Sequence, residues 1–471
     1  MRAKASIPPR RWIVISAAAS ILALAGVTSA FAFATNLTPC RIEIVEAGSG
    51  WPVPLVELRT THQMQFFSDN AGIIAFDAPE LMGREVWFDV IGNGYEVPKD
   101  GFGYRGVRLK PEPGKTLRVE VKRNIIAKRI GRITGAGLFA ESQKLGSELD
   151  WPESGVLGSD SVQNTIYRGK MFWLWGDTTL AHYPLGIFDC SSATSAIQPL
   201  EKFEPPLKLK LDYFTDDKGI PRGVGKMPGS GPTWLTAYVT LPDQNGTPHF
   251  VATYSKITPP LEAYEFGLCE WNDARARFVQ ERVLWEKKKK AKRPPLPEGQ
   301  PAFWRDDKGR EWVMFGDPFP KIRFPATYEA WLDSKTWEVL KPQAKLVSPD
   351  GKTVKPHSGH IAWNSCRQRW VTVFMEKFGK PSAFGELWYA EAPAPTGPWG
   401  KAVKILSHEN YTFYNPRLHP GFTPTNSPVL LFEGTYTQTF ANRPHPTPRY
   451  EYNQILYRLD LDDVMLKPAQ Q

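Results

Sequence analysis

The sequence predicts an all-β protein, and three observations predict it. The 471 residues include 38 Gly and 43 Pro spread along the whole chain, so few stretches of about 15 residues stay uninterrupted for a helix. Aromatic residues make up 13% of the chain, with 17 Trp, more than a helical bundle uses. Short apolar runs alternate with turn-forming clusters, the pattern of many short strands. A hydrophobic fraction of 41% and a charged fraction of 23% exclude a disordered or multi-spanning membrane chain. At about 150 residues per domain, the length allows two or three domains.

Residues 1–34 read as a signal peptide or membrane anchor. Arg2, Lys4, Arg10 and Arg11 precede an apolar stretch from Trp12 to Val27, and Ala30-Phe31-Ala32 and Ala32-Phe33-Ala34 both fit the small-x-small cleavage pattern. Left uncleaved, Trp12 to Ala34 is long enough to span a bilayer. The folded part is therefore expected outside the cytoplasm, secreted or periplasmic, touching a membrane only through an uncleaved segment. Four cysteines (Cys40, Cys190, Cys269, Cys366) contain no CxxC pair, which excludes a zinc ribbon and a thioredoxin motif.

Residues 38–123 are expected to form a small β-sandwich. Leu117, Val119 and Val121 alternate with Arg118, Glu120 and Lys122, giving one wet face, and Asp69-Asn70-Ala71-Gly72 turns between two apolar runs. The order WPVPLVEL, FFSDNAGIIAFDAP, VWFDVIGNGYEVP resembles the transthyretin-like regulatory domain of carboxypeptidases and many secreted proteins. That resemblance implies a structural role without chemistry.

Residues 125–471 read as a loose repeat. Five apolar runs end abruptly in polar residues: WLWGDT (173–178), FVATYSK (250–256), WVMFGDP (312–318), WVTVFMEK (370–377) and LLFEGT (430–435). A hairpin turn precedes each one. Units recurring about every 55–80 residues with hairpin grammar predict a five-bladed β-propeller.

Four of the runs end in a carboxylate: Asp177, Asp317, Glu376 and Glu433. Residues equidistant from a hairpin turn face each other, about 4.5–5.5 Å apart. That rule sets Asp160 opposite Asp177, His357 opposite Glu376, His419 opposite Glu433, and Gln300 or Gly299 opposite Asp317. One rim should thus collect acids, imidazoles and amides, with Trp304, Tyr411 and Tyr414 near strand starts as sugar-stacking rings. Clustered carboxylates repel unless some are protonated or engaged, so a use for them is expected. Two carboxylates suit glycosyl transfer to water: one protonates the leaving oxygen while the other attacks or activates water.

The segment GSDSVQNTIYRGKMFWLWGDTTL resembles the first blade of secreted five-bladed propellers of the endo-D-arabinanase type, which implies catalytic roles for Asp160 and Asp177. The C-terminal segment FYNPRLHPGF, LLFEGTYT, TPRYEYNQILYRLDL is similar to uncharacterised secreted propellers of planctomycete-type aquatic bacteria. More distantly, the architecture resembles arabinanase, fructosidase and anhydro-galactosidase propellers, whose acid and base come from different blades.

These readings predict an exported glycoside hydrolase acting on a polysaccharide or oligosaccharide. Asp160, Asp177 and Glu433 are the candidate catalytic residues. Asp317, Glu376, His357, His419, Trp304, Tyr414, Asn415, Arg449 and Asn453 are the candidate substrate-binding residues, beneath loops 201–231 and 287–299. A glycan-binding propeller without catalysis and a polysaccharide lyase stay open as alternatives. No catalytic metal or cofactor is expected, since the i, i+3 spacing of His357 and His360 is helical while the region reads as strand. A structural Ca²⁺ or Na⁺ is compatible with the plentiful oxygen ligands. The net charge of +9 includes a run at Lys287–Lys290, Lys292 and Arg293, which suits a solvated loop or attraction to an acidic glycan. Nucleic acid is not expected, because the basic residues do not interleave with aromatics. Ser191, Ser192 and Ser195 read as a polar loop without a base.

Overall fold

The computed structural model describes residues 38–149, 154–287, 292–343, 345–380, 383–441 and 446–470. The expected signal segment and Lys288–Lys290 of the basic run lie outside the described residues.

Two four-stranded sheets face each other at the start of the described chain. One orders Ile73–Phe76, Cys40–Glu46, Thr116–Arg123 and Tyr95–Glu96; the other orders Gln65–Phe67, Glu57–Thr60, Val86–Ile91 and Gly106–Leu109. The alternation read from 117 to 122 is real: Val119 and Val121 are buried while Arg118, Glu120 and Lys122 are exposed. Ile42, Ile44, Ile74, Phe76, Phe88 and Val121 fill the space between the sheets.

Five four-stranded antiparallel sheets follow, and together they form a five-bladed β-propeller. The first strands of the blades are Gln163–Tyr167, Thr233–Pro242, Gln300–Arg305, Pro356–Asn364 and Thr412–Leu418. Successive first strands lie side by side and form the inner ring. Hydrogen bonds from Arg417 to Asn164 join the last of them to the first. The fifth blade takes its outermost strand, Lys128–Arg132, from the opposite end of the chain, where it pairs with Asn453–Asp460. Each blade packs on both faces. The second strands are therefore apolar almost without interruption, as in Arg369–Glu376, where six consecutive residues are buried. This is why abrupt ends of apolar runs marked the blades.

A three-stranded sheet of Val156–Ser159, Thr178–Leu180 and Tyr183–Ile187 flanks the first blade. Ser192–Ser195 is the buried third strand of that blade, correcting the loop expected there. Its hydroxyls are spent on structure, since Ser192 Oγ donates to the Trp173 carbonyl and Ser195 Oγ accepts from the Trp173 indole.

A polar seam ties the sandwich to the fifth blade. The Asn70 amide exchanges two bonds with the Arg132 backbone, at 2.8 and 2.9 Å. The Arg129 guanidinium donates to the carbonyls of Pro54, Leu55 and Asn93.

Candidate active site

The hairpin rule holds where the ladder has no bulge. Gln163 pairs with Leu174 across the first hairpin, so Asp160 and Asp177 continue the same register. The Asp160 N–H donates to the Asp177 carbonyl at 3.1 Å, and the Gly176 N–H to the Asp160 carbonyl at 2.8 Å. A Cβ at Gly176 would stand 2.2 Å from Asp160 Oδ1, so any larger residue there would displace that carboxylate. In the third blade Gln300 pairs with Gly316, which sets Gly299 beside Asp317.

These strand ends surround a cavity of about 540 Å³. Asp160, Asp177 and Asp317 line it together with Tyr414, Asn415 and Tyr452. Seven of the 17 described non-glycine residues with left-handed backbone lie among its 22 lining residues, Ser161, Asn415 and Tyr452 included. Such conformations cost of order 1–3 kcal/mol each and collect at functional sites. The mouth is edged by the tips carrying Leu185, Leu261 and Phe440, and by Gly299 from the 287–299 loop. Loop 201–231 contributes no lining residue; Phe203, Leu207 and Leu209 pack instead into the core beneath the first blade.

The three aspartates differ in their partners. Asp160 accepts hydrogen bonds on Oδ2 from the hydroxyls of Tyr414 and, at 2.7 Å, Tyr452. Burial pushes its carboxyl above the usual range, and these two donors oppose that rise. Both phenols are themselves held well above 10 by burial and by the Asp160 charge, so they stay protonated donors. Asp177 is pushed up to about 7, first by burial and then by Asp160, with the Trp234 indole opposing. Its Oδ1 is buried without a hydrogen-bond partner. Asp317 is also raised to about 7 by the protein around it, against the Gly359 N–H that bonds its Oδ1 at 2.7 Å. Its side chain opens onto the cavity, and solvent there offsets part of the rise. Asn415 donates to Ser161 Oγ at 2.6 Å and accepts from Ser358 Oγ at 3.1 Å.

The remaining expected site residues lie elsewhere. Glu433 sits in the middle of Val429–Thr437, because Thr435, Tyr436 and Thr437 prolong the strand past the expected end. Its side chain has no exposed surface, which removes it as a catalytic acid. A bulge between Tyr414 and Arg417 sets Arg417 opposite Glu433, two residues off the expected partner. His419 still reaches Glu433 diagonally, at 2.8 Å. Arg417 donates to Asn164 Oδ1, so the Asn164 amide NH₂ donates to His419 Nδ1 and His419 Nε2–H donates to Glu433 Oε1. Burial holds His419 well below its ordinary value and raises Glu433 to about 8. His419 is thus a buried relay of polarity, away from the cavity.

Glu376 and His357 stand at the same rim but behind the wall. The His357 ring packs on Phe384, which packs on Phe440 of the cavity. A bulge after Pro356 shifts the expected His357–Glu376 pair to Pro356–Glu376. Glu376 is raised to about 7 by burial and by Glu386, whose charge Lys404 partners. Trp304 lies four residues beyond the cavity-lining Gln300, toward the far turn, with Arg323 over its ring. Tyr411 is buried and stacked on Tyr436. Arg449 pairs with Glu141, and Asn453 is buried, binding Thr134 Oγ1 and the Leu157 carbonyl. Both are structural clamps. Both ring nitrogens of His360 face carbonyls, of Leu418 at 3.1 Å and Pro301 at 2.9 Å; burial lowers the ring to about 3, so it is neutral and its single N–H donates to one of the two.

Tyr452, Ser161, Trp234 and Phe440 belong to the cavity and were missed. Tyr452 lies between Arg449 and Asn453, the two residues of TPRYEYNQ expected to bind substrate.

No family model matches the chain, and no curated protein matches it. Among solved structures it is similar to an exo-1,5-α-L-arabinanase from a bovine ruminal metagenomic library, with 13% identity and a TM-score of 0.37 over 65% of this chain and 94% of that one. It is similar also to the exo-β-1,3-galactanase of Phanerochaete chrysosporium, with 10% identity and a TM-score of 0.37 over 64% and 60%. The Bacillus subtilis arabinanase gives 13% and 0.32 over 64% and 96%.

Proposed function

We propose that the protein is an exported glycoside hydrolase whose chemistry lies on Asp160 and Asp177. The observation that carries this reading is the contrast within one register pair. Asp160 holds two hydroxyl donors that favour its charged form, while Asp177 is raised to about 7 and keeps an oxygen without a partner. Environments that drive two carboxylates apart assign base and acid. Asp177 protonates the glycosidic oxygen as the bond to the anomeric carbon breaks. Asp160 either takes a proton from the attacking water or attacks the anomeric carbon itself. Asp317, across the cavity, binds a hydroxyl and tunes the pair. The arabinan and galactan named for the similar structures are reasonable first substrates. The sandwich positions the propeller and carries no chemistry.

The test is reducing-end release from neutral, uronic and sulfated polysaccharides by the chain from residue 36 onward, beside Asp160→Asn and Asp177→Asn. Activity lost in both variants supports the assignment. Activity retained in both overturns it, and binding without turnover in the parent identifies a lectin-like propeller.

A further inference from the structure

A second groove, of about 400 Å³, lies between the hairpin joining Pro356–Asn364 to Arg369–Glu376 and the connection from Pro420 to Ser427. The two walls are tied together by the Asn426 N–H, which donates to Ser365 Oγ at 3.0 Å. The strand Pro356–Asn364 runs between this groove and the candidate active site. Gly359 bonds Asp317, and Trp363 stands four residues further along, about 14 Å at 3.4 Å per residue.

Trp363 is 44% exposed on a strand whose neighbours at 358–362 and 364 are buried. Its ring is fixed edge-on against buried Trp370, with centroids 6.0 Å apart at 66°. An indole held rigid and left bare is a platform for an apolar face. Around it Thr425 and Asn426 are exposed, and Thr423 and Ser427 half-buried, offering hydroxyl and amide groups. Among the described residues no Lys, Arg, Asp or Glu lines the groove, and the one ionisable group there, His419, is buried and kept neutral. A charged partner would find no counter-charge here. A neutral sugar supplies both an apolar C–H face for the ring and hydroxyls for the amide and hydroxyl rim.

We propose that this groove is a non-catalytic site for a neutral polysaccharide strand, holding the polymer at the end of the propeller opposite the aspartates. The proposal rests on the reading that the protein works on glycans, but not on catalysis. Affinity electrophoresis of the full chain carrying Asp160→Asn, in gels containing arabinan, galactan or arabinoxylan, tests it. One of these polymers should retard the protein, and adding Trp363→Ala should weaken the retardation at least fivefold while Trp363→Phe keeps part of it. Polygalacturonate should not compete. Equal retardation with and without Trp363→Ala, at unchanged melting temperature, overturns the site, as does no retardation in any neutral polymer. Retardation that depends on Trp363, beside a parent chain with Asp160 intact that never releases reducing ends, would sink the hydrolase reading and leave this one standing.

Discussion

Two aspartates, one buried and one half-buried, show how the same chemistry serves opposite ends. Asp69, at the seam between sandwich and propeller, has every lone-pair direction used. Oδ1 accepts from the N–H groups of Ala71 and Ile73, and Oδ2 from the N–H and hydroxyl of Ser142. Asp177, in the cavity, keeps Oδ1 buried and unpartnered. Burial raises both carboxyls, yet at Asp69 four protein donors pull the other way, whereas Asp177 meets one indole and a neighbouring carboxylate. A satisfied carboxylate belongs to the fold. An unsatisfied one in a cavity keeps its bonding capacity for a ligand.

The largest effect should come from exchanging the two residues' fates. Asp177→Asn is expected to lower kcat by about 10²–10⁴-fold, the usual span for removing a general acid, with the melting temperature unchanged or higher. Asp69→Ala is expected to do the reverse. It orphans three backbone N–H groups, at about 1–3 kcal/mol for each that finds no water, while the rate per folded molecule stays within twofold. Thermal melts beside rates normalised to folded protein decide this, and a stability loss in Asp177→Asn would erase the contrast.

The pH dependence sharpens it next. The proposed acid role needs Asp177 protonated, so kcat should fall as pH rises through about 7. The same raised value has a stability consequence. A carboxyl whose folded pKa lies above its unfolded one contributes stability that is full below about 3.9 and lost as pH rises through about 7. Activity and stability should therefore decline together on that limb, and Asp177→Asn should flatten the stability part.

A smaller shift is expected from Tyr452→Phe. It removes one of the two hydroxyl donors that favour the Asp160 carboxylate, so the acid limb of kcat/KM should move to higher pH. The carboxyl ¹³C titration of Asp160 should move with it. An unmoved limb would mean that Tyr414 alone holds Asp160.

The smallest effect concerns Glu433, which is buried yet bonded to His419. Glu433→Gln keeps the acceptor for His419 Nε2–H and removes a group raised to about 8. Between pH 6 and 8.5 the parent should lose stability as Glu433 gives up its proton, and the variant should lose less. Equal slopes in both would show that Glu433 carries no titration there.

The five blades were legible because each second strand is buried on both faces, so its apolar run stands out even where, as at Glu433, a polar residue lies inside the strand. The Asp160–Asp177 pair was legible because nothing interrupts the ladder around Arg168-Gly169. Bulges between Tyr414 and Arg417 and after Pro356 are what displaced the other pairs; Pro416 and Gly359, which hydropathy does not weigh, are their marks in the sequence. Glu433 was misplaced because a charged residue in mid-strand looks like a strand end when read from hydropathy alone. Trp304 was assigned to the wrong end because an aromatic near a strand start does not say how far down the strand it points. Tyr452 contributes its hydroxyl from the opening of the fifth blade's third strand, and only the closed ring brings that position to Asp160.

The strand Lys128–Arg132 joins a blade whose other strands span 412–460. During synthesis it leaves the ribosome long before any partner exists, while the sandwich just ahead of it already has its own complete core. The ring must then remain open until the last blade has been made, and one pairing shuts it across more than 300 residues. Non-local closure of this kind slows folding. Losing the final strand, Asn453–Asp460, would deprive the early strand of its neighbour and leave two bare sheet edges facing each other. A chain shortened at its C-terminus should accordingly pair with another copy or aggregate, rather than persist as a four-bladed remnant.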